Sequence, residues 1–275
     1  MNEKSKALSV FERYGKLALT VLLLVFAVAY PIAVAGVAFD VHPPFSLAWA
    51  GSALLFLEGT LLLVAAMVCY GWRRGLLAGV VIIVLSYFVE AVGVGTGIPF
   101  GAYRYTNVLS PKLPGSVPAA VMFAWVLIVL GAYGCLASTV RRRNSLLLAL
   151  LGALLATLLD VEIEPVAFHL EHYWEWLSPG PIHYYGVPLA NFAAWFAVAF
   201  LLLLCVDALF RSAVQAKAGS RRAFLAPRVL FVASLFMFGL VDLTHGYYGA
   251  IIPGLLAGLL LWQLWRRVPK FLNHL

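Results

Sequence analysis

The chain has 275 residues, of which 63% are hydrophobic and 11% charged, and its formal net charge is +7. Soluble domains carry roughly 45–50% apolar and roughly 25% charged residues, so this composition excludes a water-soluble fold and leaves no room for a separate soluble domain. Nor does the positive charge imply nucleic acid: the basic residues are dispersed over five segments beside apolar stretches, where they orient helices and meet anionic lipid.

Eight apolar stretches follow in chain order, at about 15–38, 46–70, 75–95, 117–140, 145–165, 188–210, 228–245 and 247–266. Most approach the ~20 residues that a helix needs to cross a bilayer. All but two of the nineteen Lys and Arg residues lie in every second gap: Lys4 to Lys16, Arg73-Arg74, Arg141 to Arg143, Arg211 to Arg228, and Arg266 to Lys270. The exceptions are Arg104 and Lys112. The positive-inside rule then predicts an all-α, polytopic integral membrane bundle of about eight transmembrane helices with both termini cytoplasmic. A single membrane domain is expected over 1–275, with core spans at 15–210, a flexible cytoplasmic link at 211–228 and a terminal helical hairpin at 228–266. A basic N-terminus before an apolar run also suggests a signal peptide, but the run Leu17 to Ala38 exceeds the ~7–15 residues of a signal core and reads as an uncleaved first span. Cys69, Cys135 and Cys205 lie inside apolar helices without pairing or metal spacing and read as small core residues.

On the outer side, the segment Gly95 to Tyr105 combines glycines, Pro99 and the rings of Phe100, Tyr103 and Tyr105, a composition suited to the membrane interface. The next outer loop carries His169, His172, Tyr173, Trp174, Trp176, His183, Tyr184 and Tyr185 and no basic residue. Two aromatic loops of this kind can roof one cavity. Beneath them lie acids. At ~1.5 Å per helical residue, Glu90, Asp160 and Asp242 sit roughly 21–23 Å from the inner edge of a hydrocarbon core ~30 Å thick. Glu164 is one turn further out on the face of Asp160, Glu162 points away from both, and Glu58 is nearer mid-bilayer. Taken singly, each acid reads equally well as a hydrogen-bonding residue between helices. Glu90, Asp160 and Glu164 together beneath aromatic loops point to a functional pocket, because a carboxylate facing lipid costs several kcal/mol.

Five of the six histidines, His42, His169, His172, His183 and His245, fall on the outer side. The spacing of His169 to His172 and of Asp242 to His245 makes a metal site geometrically conceivable, although interfacial histidines are common. The sequence shows neither paired histidine boxes nor a phosphate-binding glycine loop, and Asp160-x-Glu162-x-Glu164 has no second acidic motif of the kind a membrane prenyltransferase uses. Ser52, Ser86 and Ser138 have no evident histidine partner.

The run Glu90 to Tyr105 with Thr96-Gly97-Ile98-Pro99-Phe100-Gly101, the run Asp160 to Pro165, and Tyr184-Tyr185-Gly186-Val187-Pro188-Leu189-Ala190-Asn191 ending at Trp195 together resemble the membrane carotenoid hydratases. That family includes the bisanhydrobacterioruberin hydratases of archaea and bacterial enzymes that hydrate the acyclic end of lycopene or gamma-carotene. The resemblance covers the third to sixth spans. Where the family pattern carries Asp-Pro, this chain has Glu164-Pro165, which moves the carboxyl out by one methylene.

The resemblance implies a carotenoid biosynthesis enzyme, a hydro-lyase that adds water across the terminal double bond of an acyclic psi end group to give a tertiary alcohol. It implies no redox or other cofactor. The partners are then water, membrane lipid and a carotenoid: lycopene, gamma-carotene or a fifty-carbon acyclic one. Protonating such an alkene makes a tertiary carbocation, which demands a proton donor in a dry site, aromatic faces for the cation and a polar group to hold water. On this reading Asp160 is the proton donor, with Glu90 or Glu164 receiving the proton from water. Asn191 is the candidate partner of the new hydroxyl. Tyr103, Tyr105, Trp174, Tyr185 and Trp195 are candidates for cation and polyene contact, each of which reads alone as an interfacial anchor. Asp242 and His245 are left unassigned on this reading, with helix packing as their default role. Two other classes stay open: a proton-coupled membrane transporter using Glu90, Asp160 and Asp242, and a metal-dependent intramembrane hydrolase using His169, His172, His183 or His245.

Overall fold

A computed structural model of the chain describes residues 3–41, 43–45, 47–140, 144–211 and 221–266, with backbone alone over 3–12. His42 and residues 212–220 of the expected link lie outside the described residues. Eight helices follow in order: α1 (Glu3–Ala38), α2 (Ala50–Tyr70), α3 (Trp72–Thr96), α4 (Ala119–Leu136), α5 (Ser145–Pro165), α6 (Leu189–Arg211), α7 (Arg221–Thr244) and α8 (Ile251–Arg266). Between them are four short strands, β1 (Tyr103–Tyr105), β2 (Trp174–Trp176), β3 (His183–Tyr184) and β4 (Val187–Pro188). Each of the eight apolar stretches becomes a helix long and apolar enough to cross a membrane, and the molecule is a multi-pass helix bundle.

Burial sorts the helices. α4 lies at the centre, with Trp125, Tyr133 and most of its aliphatic side chains buried, and α2, α3, α5, α6 and α7 pack around it. α1 lies at the edge and leaves Leu17, Val21, Leu24, Val28 and Ile32 on the surface, as expected of a helix solvated by lipid tails. Without a hydrophobic drive between helices in lipid, close packing depends on small residues that let backbones approach. Gly59 lies against the backbone of Phe123, Gly131 against Phe231 and Gly152 against Leu203, and a Cβ at any of the three would clash.

The helix ends differ from the expected spans in two informative places. α7 begins at Arg221 rather than at 228 and contains Pro227. Its extra turns reach the end of the bundle that bears the basic residues. There Arg228 is held by the carbonyl of Gly134 at 3.3 Å and by the Ser138 hydroxyl, with its guanidinium over the Trp265 ring. Partners of this kind let an arginine lie inside a span instead of marking its edge. α5 continues past Pro165 as a π-helical turn, Val166–Leu170, closed by Glu171 N–H donating to Val166 O at 2.8 Å. That turn carries the chain directly into β2.

The outer loops meet in an antiparallel ribbon, with Tyr103 opposite Trp176, Arg104 opposite Glu175 and Tyr105 opposite Trp174. Side chains alternate across a strand. The ribbon therefore turns two tyrosines and two tryptophans toward the bundle and pairs Arg104 with Glu175 at 2.6 Å on the wet side. At the opposite end of the bundle, Asp207 of α6 is buried and accepts hydrogen bonds from Tyr133 at 3.1 Å, from Ser145, and from Arg211 at 3.3 Å.

Candidate active site

Helices α3, α4, α5 and α6 and the ribbon supply the polar groups of the site. α3 stops at Gly97, whose left-handed backbone (φ +75°) returns an N–H to Gly93 O and turns the chain back over the helix. The turn brings Phe100 and β1 down onto α3. Gly93, one turn above Glu90, leaves the space through which the Tyr103 hydroxyl passes, since a Cβ there would stand 2.9 Å from that oxygen. Glu90, buried at 3% exposure, accepts three hydrogen bonds: from Tyr103 at 2.6 Å, Tyr105 at 2.8 Å and the Trp125 indole at 2.9 Å. Burial, and then the neighbouring Glu90 charge, hold both phenols protonated well above the usual tyrosine range.

On α5, Asp160 and Glu164 stand one turn apart on one face and are both buried. Asn191, in the first turn of α6, bridges them, its Nδ2 donating to Asp160 Oδ2 at 3.0 Å and to Glu164 Oε1 at 2.8 Å. Trp174 and Trp176 of β2 donate to Glu164 Oε2 at 3.0 and 3.2 Å. Glu90 and Glu164 thus each accept three hydrogen bonds, whereas Asp160 accepts one and its Oδ1 is bonded to none of the described residues.

These groups line one cavity of about 130 Å³ whose other walls are mostly apolar, among them Leu54, Leu55, Val121, Ile128 and Phe238. Its polar wall holds Glu90, Asp160, Glu164 and Asn191 below the ribbon, with Tyr103, Tyr105, Trp174 and Trp195 around them. Trp195 stacks on Trp125 with centroids 4.1 Å apart. Glu58 also borders the cavity, beside Ser234 and Met237.

Tyr185 is placed elsewhere. It and Gly186 take up positive φ between β3 and β4, a two-residue turn that fits a twisted hairpin. The turn sends the ring toward Tyr247 and its hydroxyl to the N–H of Gly249 at 3.2 Å, away from the cavity. Asp242 does not line the cavity either. It lies on the opposite side of α5 with Glu162, whose carboxylate packs against Gly239 and Gly254. The outer histidines bind backbone instead of one another: His169 Nε2 contacts Tyr185 O at 2.7 Å, His172 Nδ1 contacts Phe168 O at 3.1 Å, and His183 Nδ1 accepts from Gly186 N at 3.2 Å. Among the described residues, no three His, Cys, Asp or Glu side chains converge to hold a metal ion.

Sequence reading did not single out Trp125 or assign a role to Trp176 and Phe100. A signal for Trp125 was present: an indole N–H deep in an apolar helix needs an acceptor, and the acids at that depth were the only candidates of full strength. The bonds from Trp174 and Trp176 depend on β2, which a loop reading does not supply.

The profile of one family, described as carotenoid biosynthesis protein, matches residues 50–261, which takes in α2 to α7, most of α8 and every polar side chain of the cavity wall. The chain belongs to that family. It is 32% identical over 193 residues to the bisanhydrobacterioruberin hydratase of Haloarcula japonica, an alignment covering 68% of this chain and 62% of the relative. The chain thus spans less than two thirds of that relative's length. No solved structure matches it.

Proposed function

We propose that this carotenoid biosynthesis family member is a carotenoid hydratase that adds water to the terminal double bond of an acyclic end group. The observation that carries the reading is the contrast within the cavity wall: two carboxyls saturated with donors beside a third, Asp160, with a free oxygen in an apolar cavity. The related hydratase supports the same reaction class.

Asp160 protonates the less substituted carbon of the alkene through Oδ1, forming a C–H bond and leaving a tertiary carbocation. Glu90 and Glu164, both held as acceptors, face that cation as fixed negative groups, and the stacked Trp125–Trp195 pair offers a π face. Water then forms the C–O bond. Its proton passes to Glu164, which Asn191 holds next to Asp160, and return of the proton to Asp160 resets the site. Nothing is oxidised or reduced, and the net change is the addition of water. The ribbon above the cavity limits water to what the reaction consumes, because a cation of this kind is otherwise quenched indiscriminately.

Expression in a bacterium that accumulates lycopene or gamma-carotene tests the reading. A pigment heavier by the mass of water is the expected product. Unchanged pigments from both strains and from one supplying a fifty-carbon acyclic carotenoid, with the protein present in the membrane, would reject it. The transporter and metal-hydrolase readings are weaker here, since Asp242 stands apart from Glu90 and Asp160 and, among the described residues, the histidines do not converge.

A further inference from the structure

The second group of buried acids differs from the first in lacking donors. Glu162 of α5 and Asp242 of α7 are 1% and 0% exposed. Glu162 Oε2, both carboxyl oxygens of Asp242 and the Tyr184 hydroxyl are buried without a hydrogen-bond partner among the described residues. They belong to one locality. The charge of Asp242 acts on Glu162, and both carboxyls act on the Tyr184 phenol, which burial first, then Tyr185, Asp242 and Glu162 hold protonated well above its usual range. Tyr184 is able to donate a hydrogen bond, yet it reaches neither acid. Their open oxygens are therefore free to take up a bound atom.

Two further features give the cluster the character of a built site. Gly239 on α7 and Gly254 on α8 both face the Glu162 carboxylate, and a Cβ at either position would collide with it. Space has been kept for this charge on two helices. Among the described residues no counter-charge faces it: His245, just past the end of α7, directs Nδ1 to Val241 O at 3.0 Å and Nε2 toward Asp40 at 3.6 Å. Buried acids with open lone pairs and no cationic partner are costly unless something occupies the space between them.

We propose that Glu162, Asp242 and Tyr184 form a binding site for a hard, oxygen-seeking cation, Na⁺ or Ca²⁺, that ties the α7–α8 hairpin to α5. Carboxylate oxygens are ligands such ions prefer, the neutral Tyr184 phenol adds a further oxygen, and two carboxylates without nitrogen or sulfur donors do not suit a transition metal. The site is independent of the proposed reaction. It stands on the back of the helix that presents Asp160 and Glu164 to the cavity, so the ion would brace that helix without touching substrate.

Thermal unfolding of the detergent-purified, chelator-treated full chain tests the proposal. The midpoint is measured in choline chloride, KCl, NaCl, MgCl2 and CaCl2 at matched ionic strength. A saturating cation should raise it by about 5 °C or more over choline, and the salt that does so distinguishes Na⁺ from Ca²⁺. Asp242→Asn and Glu162→Gln should each abolish the rise. A wild-type midpoint equal in all salts overturns the proposal and leaves water or a shared proton as the bridge. A rise that survives in Glu162→Gln overturns it as well, and the wild-type series decides even where a variant fails to fold.

Discussion

Buried carboxyls stand at both ends of the bundle, and they are not equivalent. At the basic end, Asp207 accepts from Tyr133, Ser145 and Arg211, with a cation in direct contact. At the outer end, Glu90, Asp160 and Glu164 share neutral donors only, from tyrosine, tryptophan and asparagine, and face about 130 Å³ of largely apolar space. The comparison teaches that burial of an acid does not make a site. An acid neutralised by a partner in a closed contact holds helices together. Acids without a counter-ion beside empty space are arranged for a charge that arrives later, such as a carbocation.

Substitutions can separate the two roles. The largest effect is expected at Asp160: Asp160→Asn keeps the shape and the Asn191 contact but removes the proton, and should lower hydration by roughly 10²–10⁴-fold, the usual share of general acid catalysis. Pigment conversion normalised to membrane protein measures it, and normal conversion would remove Asp160 from the role. Next comes Tyr103→Phe, which deletes one of three donors to Glu90 and should cost roughly 10–100-fold, in line with about 1.5–3 kcal/mol for a hydrogen bond to a charged group. The loss should appear in turnover more than in substrate affinity, read per folded molecule because the same lost hydrogen bond also lowers the unfolding temperature.

Asp207→Ala should give the opposite pattern. Stability should fall by about 1–3 kcal/mol as Tyr133 and Ser145 lose their acceptor, while conversion per folded molecule is retained. A variant that stayed fully stable but lost activity would collapse the distinction between the clusters.

The smallest effect concerns pH. The Tyr103 and Tyr105 phenols stay protonated in the folded chain well above their usual range, so their folded pKa exceeds the unfolded value. Their contribution to stability is complete below about pH 10 and declines as pH rises beyond it, because unfolded tyrosines then gain the option to ionise. Spectrophotometric titration should show these two rings ionising only with unfolding, and Tyr105→Phe should flatten the alkaline fall in stability.

Much of this was legible in the chain itself. Eight apolar runs become eight helices because a bilayer leaves the backbone no other way to satisfy its own N–H and C=O groups. Spacing along α5 alone placed Asp160 and Glu164 on one face and Glu162 on another, since helical geometry is local. Basic residues in alternate gaps marked the ends of the spans, although Arg228 misled the start of α7 because its partners Gly134 and Ser138 come from a distant segment. Depth put Asp242 beside Glu90 and Asp160, but depth says nothing of azimuth, and α7 presents Asp242 to the back of α5.

The ribbon was hidden for a related reason. Tyr-Arg-Tyr and Trp-Glu-Trp each alternate over only three residues, too short a period to distinguish a strand from an interfacial loop until the two are paired. Sequence by itself determined the solvent of this protein, its helices and the faces its acids occupy, all of which follow from composition and local geometry. Only the tertiary structure decided which donors reach which acid, left Asp160 with a free oxygen, and turned Tyr185 away, because those outcomes depend on contacts between segments up to seventy residues apart or more.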